Sequence, residues 1–134
     1  MTLYLDSSVL LAGYLGELLA DRSSEITSSD PVLCTSWLTM VEVRRTLARA
    51  NGGSVPSAVA SRVAEDFDAL ALIGADAALW SDAAVVAEVT GARSLDAVHL
   101  AAARSIAVPS LAFATFDLRQ AQAARSLGMT VIGS

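Results

Sequence analysis

The sequence predicts one α/β domain in which helices cover both faces of a parallel β-sheet. Five short apolar runs of four to six residues alternate with longer segments whose apolar residues recur at helical spacing. The chain has 134 residues, which suits a single domain whose core needs no disulfide bonds. It contains no internal repeat and no interdomain linker. We therefore expect residues 1–134 to form one domain.

Local signals set the boundaries of the predicted elements. Small polar residues precede several helical segments, glycines follow them, and the strand segments end at polar residues. The first part of the chain is predicted to form strand 2–5, a helix capped by Ser7 or Ser8, a polar helix over 16–28, a loop at 28–31 and strand 31–36. The middle part is predicted to form a helix from the N-cap Ser36 to Gly52–Gly53, a loop at 51–54, a helix over 55–70 and strand 70–74. The last part is predicted to form a helix that Asp76 caps and Gly91 ends, a helix from Ser94, strand 110–115, a helix over 118–127 that Gly128 ends, and strand 129–132.

Composition points to a cytoplasmic protein with a large apolar surface. Hydrophobic residues make up 54% of the chain, and the mean hydropathy is +0.53. No uncharged apolar run reaches the roughly 18 residues that a membrane span needs, and the start, MTLYLDSS, lacks the basic region of a signal peptide. The single cysteine, Cys34, is expected to be a small core residue on a strand. Part of the apolar surface is expected to meet a partner.

The charge balance excludes simple nucleic-acid binding by phosphate neutralisation. The net charge is −5, the pI is about 4.6, and all nine basic residues are arginines. An acidic domain of this kind does not hold phosphates by itself. Either nucleic acid is irrelevant to this protein, or a cation that the sequence does not supply takes part. Bound divalent metal ions would be such a cation, and two of them would add +4 to the formal −5 and leave −1.

Four acidic residues fall where the strands of such a sheet present their carboxyl ends. Asp6 follows the first strand, and Asp117 follows the fourth. Glu42 lies about two turns into the helix after the second strand, and Asp96 lies in the first turn of the helix before the fourth. Ligand sites of open α/β sheets form at these ends, where the strand order reverses. The four carboxylates are therefore candidates for one site.

Each acid also has a structural interpretation. Asp6 could cap the first helix, Asp117 could start a turn, and Asp96 could simply favour a helix dipole. Glu42 could pair with Arg45 or Arg49 on a solvated face. The other acids are interpreted as solvated, and they include Asp21, Glu25, Asp30, Glu65, Asp66, Asp68, Asp82 and Glu88.

His99, the only histidine, follows Asp96 by three residues and is predicted to lie near the same helix face. It could donate a hydrogen bond toward the acids, or it could be a packed histidine with local bonds.

Clustered carboxylates favour hard divalent cations. Oxygen-only ligands select Mg²⁺ or Mn²⁺, and such ions act on phosphate esters by activating water and stabilising the leaving oxygen. The chain has no histidine and cysteine cluster for zinc, no GxxxxGK[ST] loop and no GxGxxG fingerprint. The four acids therefore predict metal-assisted hydrolysis of a phosphate ester.

Four segments resemble the motif blocks of the PIN-domain family, and the likeness is strongest to VapC-type toxins of bacterial toxin–antitoxin pairs. These segments are MTLYLDSSVLLA, VEVRRTL, RSLDAVHLAAA and FATFDLRQAQAARSLGMTVI. The resemblance implies a three-layer α/β/α sandwich with a five-stranded parallel sheet of order 3-2-1-4-5. It also implies a Mg²⁺-dependent endoribonuclease, with Mn²⁺ as a substitute, that has RNA as substrate, a cognate antitoxin as partner and a homodimer as its assembly.

The resemblance assigns roles to individual residues. Asp6 and Asp96 match the best metal ligands, and Glu42 and Asp117 complete the acidic pocket as further ligands or by holding metal-bound water. Ser7 and Thr115 match small hydroxyl residues that orient carboxylates or contact phosphate. The arginines nearest the site are possible contacts to RNA or antitoxin, or else surface charges: Arg44, Arg45, Arg93 and Arg119.

Three other functions are weaker. A catalytically silent PIN-like module for binding or scaffolding would be marked by the loss of one or two acids, and all four are present. A phosphoacceptor receiver domain needs a lysine after its last strand, and this chain has none. A phosphatase of the haloacid dehalogenase type expects an aspartate two residues after the first, where this chain has Ser8.

Overall fold

A computed structural model describes residues 1–29 and 32–134. It confirms the predicted fold class, an α/β sandwich around a five-stranded sheet of order β3-β2-β1-β4-β5 in which all neighbouring strands run parallel. The strands are β1 (Thr2–Leu5), β2 (Val32–Ser36), β3 (Ala71–Ile73), β4 (Leu111–Ala114) and β5 (Thr130–Ile132). The strand order reverses between β1 and β4, which places a crevice at their carboxyl ends.

Seven helices connect these strands within the described part of the chain, as the sequence predicts. They are α1 (Ser7–Leu15), α2 (Ala20–Ser28), α3 (Trp37–Ala50), α4 (Ser57–Ala69), α5 (Ala77–Thr90), α6 (Ser94–Ser105) and α7 (Leu118–Ser126). None of these helices is both long enough and apolar enough to span a lipid bilayer.

Helix ends differ from the prediction in a few places. Asp6, rather than Ser7 or Ser8, occupies the N-cap position of α1, and its side chain makes no capping bond there. Ser36 is the N-cap of α3 as predicted, also without a side-chain capping bond. Asp76 caps α5 as predicted, since its Oδ1 accepts from the Leu79 amide at 2.8 Å.

Two loop predictions meet the structure only in part. The predicted loop at 28–31 and the solvated Asp30 fall largely on residues 30 and 31, which lie outside the described residues. Helix α3 ends at Ala50, before the predicted stop at Gly52–Gly53. The turn after it is closed by the Gly53 amide, which donates to the Ala48 carbonyl at 2.8 Å.

The sheet separates two apolar cores. Successive side chains of a strand point to opposite faces, so Leu3 and Leu5 pack among α1–α4, whereas Tyr4 packs among α5–α7. Helix α6 is buried from Ala97 to Ala103, because it lies against the sheet at the centre of the second core. Burial on both faces is the usual state of a parallel sheet, and Cys34 is a buried residue of β2 as predicted.

Candidate active site

Asp6 lies at the carboxyl end of β1, at the point where the strand order reverses. The β1–β4 register pairs Leu5 with Ala114, so the next residues, Asp6 and Thr115, are neighbours. The backbone amide of Asp6 continues the ladder by donating to the Ala114 carbonyl at 3.0 Å. The residue is only 5% exposed, and a buried carboxylate needs hydrogen-bond donors around it.

Hydroxyl groups supply donors to one oxygen of this carboxylate. Thr115 Oγ1 donates to Asp6 Oδ2 at 2.6 Å, and Ser8 Oγ donates to the same oxygen at 3.2 Å. Ser8 Oγ in turn accepts from the Phe116 amide at 3.0 Å. Thr115 thus contacts a carboxylate as the sequence suggested. The serine that does so is Ser8, whereas Ser7 is the half-buried first residue of α1.

Glu42 reaches the same end of the sheet from α3 and meets the histidine. Its Oε1 lies 2.5 Å from Nε2 of His99, which is completely buried. The same Nε2 lies 3.8 Å from Oδ1 of Asp6, and Nδ1 lies 2.8 Å from the hydroxyl of Tyr4. The charged partner of Glu42 in the described residues is therefore His99, rather than Arg45 or Arg49.

The electrostatic environment of His99 favours its protonated form. Burial by itself lowers the pKa of the imidazole. The bond to Glu42 and the charges of Asp6, Glu42 and Asp96 outweigh burial, so the pKa of His99 is raised.

Asp96 lies in the first turn of α6, and it is half-buried beside the other acids. Burial, followed by the charge of Asp6 and then by that of Asp117, raises the pKa of this carboxyl, although Arg93 and His99 act in the opposite direction. Arg93 Nε lies 3.5 Å from Oδ2. Because carboxylates affect one another strongly only at short range, the three aspartates belong to one electrostatic site.

Asp117 is fixed by a helix cap. Its Oδ1 accepts from the backbone amides of Arg119 at 2.8 Å and Gln120 at 3.2 Å, which makes it the N-cap of α7. Gln120 is buried, and its Nε2 donates to the Asp96 carbonyl at 3.0 Å. This side chain therefore ties the start of α7 to the first turn of α6.

The donor set suits Mg²⁺ in kind. Asp6, Glu42, Asp96 and Asp117 offer carboxylate oxygens, which such ions prefer. Across residues 1–29 and 32–134, no three His, Cys, Asp or Glu side chains converge closely enough to enclose a metal ion. Mg²⁺ usually keeps several waters and takes one or two protein carboxylates, so this set of carboxylates fits the ion in chemical kind although no three of them enclose it.

Two of the four predicted arginines border the site. Arg93 and Arg119 line a cavity of about 360 Å³ together with Asp96 and Gln120. Arg44 lines a separate cavity between α3 and α4 with Trp37 and Phe67, and Arg45 is exposed on α3.

Sequence reasoning missed three residues of this site. Ser8 shows only as part of the SS pair after Asp6, and nothing in the sequence chooses between the two serines. Gln120 stands three residues after Asp117, a spacing that a helix cap brings close but that does not predict its bond to α6. Tyr4 reads as an ordinary apolar strand residue, although alternation along β1 does put it on the same face as Asp6.

The family model of the PIN domain matches residues 3–126. No curated protein sequence gives a significant match to the chain.

Solved structures with a similar fold include bacterial toxins. VapC20 of Mycobacterium tuberculosis, described as a sarcin–ricin loop cleaving toxin, superposes with a TM-score of 0.70 at 19% identity, over 91% of this chain and 95% of that one. A toxin–antitoxin complex from Klebsiella pneumoniae gives 0.66 at 17% identity, over 87% of each chain. FitAcB from Neisseria gonorrhoeae gives 0.65 at 18% identity, over 98% and 96%. At such identities the likeness is one of fold.

Proposed function

The chain belongs to the PIN domain family, and from this premise we propose that it is a Mg²⁺-dependent endoribonuclease and the toxin of a toxin–antitoxin pair. The observation that carries the proposal is the pair Asp6 and Asp96. Asp6 is buried at the strand-order switch, and burial of Asp96 followed by the charge of Asp6 raises the pKa of Asp96. Such carboxylates are poised to accept a divalent cation, since a cation relieves their repulsion.

Each residue of the acidic site has a separate role in this proposal. Asp6 and Asp96 would hold the metal, which when bound activates a water and stabilises the leaving oxygen. Thr115 and Ser8 occupy Oδ2 of Asp6, so that Oδ1 is left for the metal. Glu42 and Asp117 extend the negative pocket, and the fixed geometry of each restricts the orientations that a bound water can adopt.

The RNA strand would enter beside the metal. Arg93 and Arg119 flank the cavity that contains Asp96, and guanidinium groups bind phosphates through paired hydrogen bonds. The net charge of −5 already counts these arginines, so it is the bound metal that would offset it. We assign these two arginines, rather than Arg44 and Arg45, to phosphates that flank the cleaved bond.

Cleavage of RNA by the purified protein tests the proposal. The wild type should cleave RNA with Mg²⁺ or Mn²⁺ and lose activity in chelator, and expression of the chain alone in the bacterial cytoplasm should arrest growth. Asp96→Asn should fold and lose both effects, because it removes one charge with little change in volume. Asp82→Asn is the matched control, since Asp82 pairs with Arg104 away from the acids. A folded Asp96→Asn variant with full activity would contradict the assignment.

The alternative is a catalytically silent PIN-like module that only binds a partner. It predicts a wild type that folds and binds a partner protein but leaves RNA intact under every metal condition. The presence of all four acids favours the enzyme.

We propose two protein partners. An antitoxin would inhibit the enzyme by placing an arginine or lysine against the acids, where a cation competes with the metal.

A second copy of this chain would cover the apolar surface of α3 and α5, where Trp37, Val41 and Trp80 are more than half exposed around an apolar cavity of about 250 Å³. Light scattering should give a dimer for the wild type and a monomer for Trp80→Glu. A wild type that is monomeric at all concentrations would contradict the dimer.

A further inference from the structure

A chain of three hydrogen-bonded side chains, two of them fully buried, joins both cores at the acidic site. Tyr4 comes from β1, His99 from α6 and Glu42 from α3. The Tyr4 hydroxyl lies 2.8 Å from His99 Nδ1, and His99 Nε2 lies 2.5 Å from Glu42 Oε1. Tyr4 and His99 have no exposed surface, and the Tyr4 ring stacks on Phe113 with centroids 5.4 Å apart and planes 8° apart. The imidazole is thus held on both sides.

The hydrogen atoms in this chain follow from what each group can donate. A carboxylate only accepts, so Nε2 of His99 carries a hydrogen and donates it to Glu42. Burial raises the pKa of Tyr4, which keeps its hydroxyl protonated and able to donate to Nδ1. Both the protonated imidazole and its neutral Nε2–H form carry this hydrogen, so the bond to Glu42 is the same in either form, and the Tyr4 hydroxyl can pair with Nδ1 in both.

The Nε2–H group also fixes what Glu42 can offer to the site. It occupies Oε1, and the same nitrogen lies 3.8 Å from Oδ1 of Asp6. Glu42 is 21% exposed in its side chain, so its second oxygen, Oε2, is the one left for a water or an ion. A glutamate held in this way presents one oxygen in a fixed direction beside Asp6.

We propose that His99 is a positioning residue that aligns Glu42 with Asp6, and that Tyr4 in turn aligns His99. The inference rests on the proposed function, because it concerns the metal that the acids would hold. Partners that orient the groups around a metal site typically change metal affinity or activity by about 10- to 100-fold when removed. Loss of the His99 bond should therefore weaken Mn²⁺ binding even when no RNA is present.

Two amide variants separate the two ends of the imidazole. In His99→Gln the amide nitrogen can take the place of Nε2 and still donate to Glu42. In His99→Asn the shorter amide takes the place of Nδ1 and cannot reach Glu42. Calorimetry of Mn²⁺ binding to RNA-free protein should show an affinity loss of about 10-fold or more for His99→Asn and a smaller loss for His99→Gln.

In metal-free wild type, nuclear magnetic resonance should show a slowly exchanging proton on Nε2 of His99. The Glu42→Gln substitution should change the chemical shift of this proton.

Controls separate positioning from general destabilisation. Ser23→Ala removes a buried bond of 2.6 Å to the Val9 carbonyl on the other face of the sheet, and it should lower the melting temperature without changing Mn²⁺ affinity. If His99 acts through Glu42, the double variant His99→Asn/Glu42→Gln should bind Mn²⁺ no more weakly than Glu42→Gln alone.

The possible outcomes distinguish this inference from the function on which it rests. A folded His99→Asn variant with wild-type Mn²⁺ affinity, or losses that add in the double variant, would overturn the positioning role while leaving the ribonuclease intact. A wild type that neither binds Mn²⁺ nor cleaves RNA would overturn the proposed function itself.

Discussion

The Thr115 hydroxyl donates to the Asp6 carboxylate across 2.6 Å, although the two residues are 109 positions apart in the sequence. The parallel pairing of β1 with β4 brings them together, because Asp6 and Thr115 each follow the last paired residue of their strand. Thr115 Oγ1 also accepts from the Asp117 amide at 3.0 Å. One hydroxyl thus connects two of the four acids.

Replacing Thr115 by valine should destabilise the fold. The change keeps the shape of the side chain but leaves the buried Asp6 carboxylate without its shortest donor. Hydrogen bonds to charged groups contribute about 1.5–3 kcal/mol, so the free energy of unfolding, measured with urea, should fall by about that amount. Thr115→Ser keeps the hydroxyl and should recover most of the loss. Equal stability of the valine and serine variants would show that the hydroxyl bond contributes nothing.

Asp117 allows capping and charge to be separated. Asp117→Ala removes the acceptor for two amides at the start of α7 and should cost about 1 kcal/mol of unfolding free energy. Asp117→Asn keeps a capping oxygen, since asparagine caps about as well as aspartate, and should unfold like the wild type. We expect both variants to lose ribonuclease activity, because both lose the negative charge. An active Asp117→Asn enzyme would reduce Asp117 to a helix cap.

Divalent metal should stabilise the wild type and not its site variants. At ten times the dissociation constant, binding to the folded state alone contributes RT ln 11, about 1.4 kcal/mol, or a melting shift of about 3–8 °C for a domain of this size. Asp6→Asn and Asp96→Asn should shrink this shift. In chelator at neutral pH, Asp96→Asn should melt higher than the wild type, because the ionised Asp96 is disfavoured by burial and by Asp6.

The comparison is thermal unfolding of all three proteins with chelator and with Mn²⁺, and Asp82→Asn serves again as the control. A wild-type melting temperature that is the same with and without Mn²⁺ would contradict the proposed metal site.

The buried thiol of Cys34 should make the fold less stable at alkaline pH. Burial raises the pKa of its thiol from 9.0 to about 11, and Sγ donates to the Leu3 carbonyl at 3.3 Å. The folded state therefore holds this proton more tightly than the unfolded state. The stability that Cys34 contributes is complete below pH 9 and is lost as the pH rises toward about 11.

Urea unfolding at pH 8 and pH 10.5 checks this. Cys34→Ala should lose less stability than the wild type between these pH values, and the difference isolates the thiol from Tyr4 and Tyr14, whose pKa values burial also raises. The native thiol should also react with a disulfide reagent at pH 8 far more slowly than in urea, since the thiolate is the reactive form. Identical pH dependence in both proteins would contradict the buried thiol.

The fold class and the neighbourhood of Asp6 could be predicted from the sequence. Alternating apolar runs, caps such as Asp76 and stops such as Gly91 act over a few residues, so they are readable without tertiary contacts. The strand-end rule then placed Asp6 and Asp117 on one edge of the sheet. Asp96 and His99 are three residues apart, so helical spacing alone predicted that they lie near the same face of their helix.

The partner of each polar side chain was decided only by tertiary packing. The choice of Ser8 over Ser7 depends on which hydroxyl α1 turns toward Asp6, and the bond between His99 and Glu42 depends on how α6 and α3 approach the sheet from opposite faces. Gln120 reaches α6 because α7 packs beside it. A hydrogen bond requires its atoms to meet within a few tenths of an ångström. Sequence periodicity indicates which face of a helix or strand a residue occupies. The packing of helices against the sheet then decides which donor and acceptor atoms come within hydrogen-bond distance.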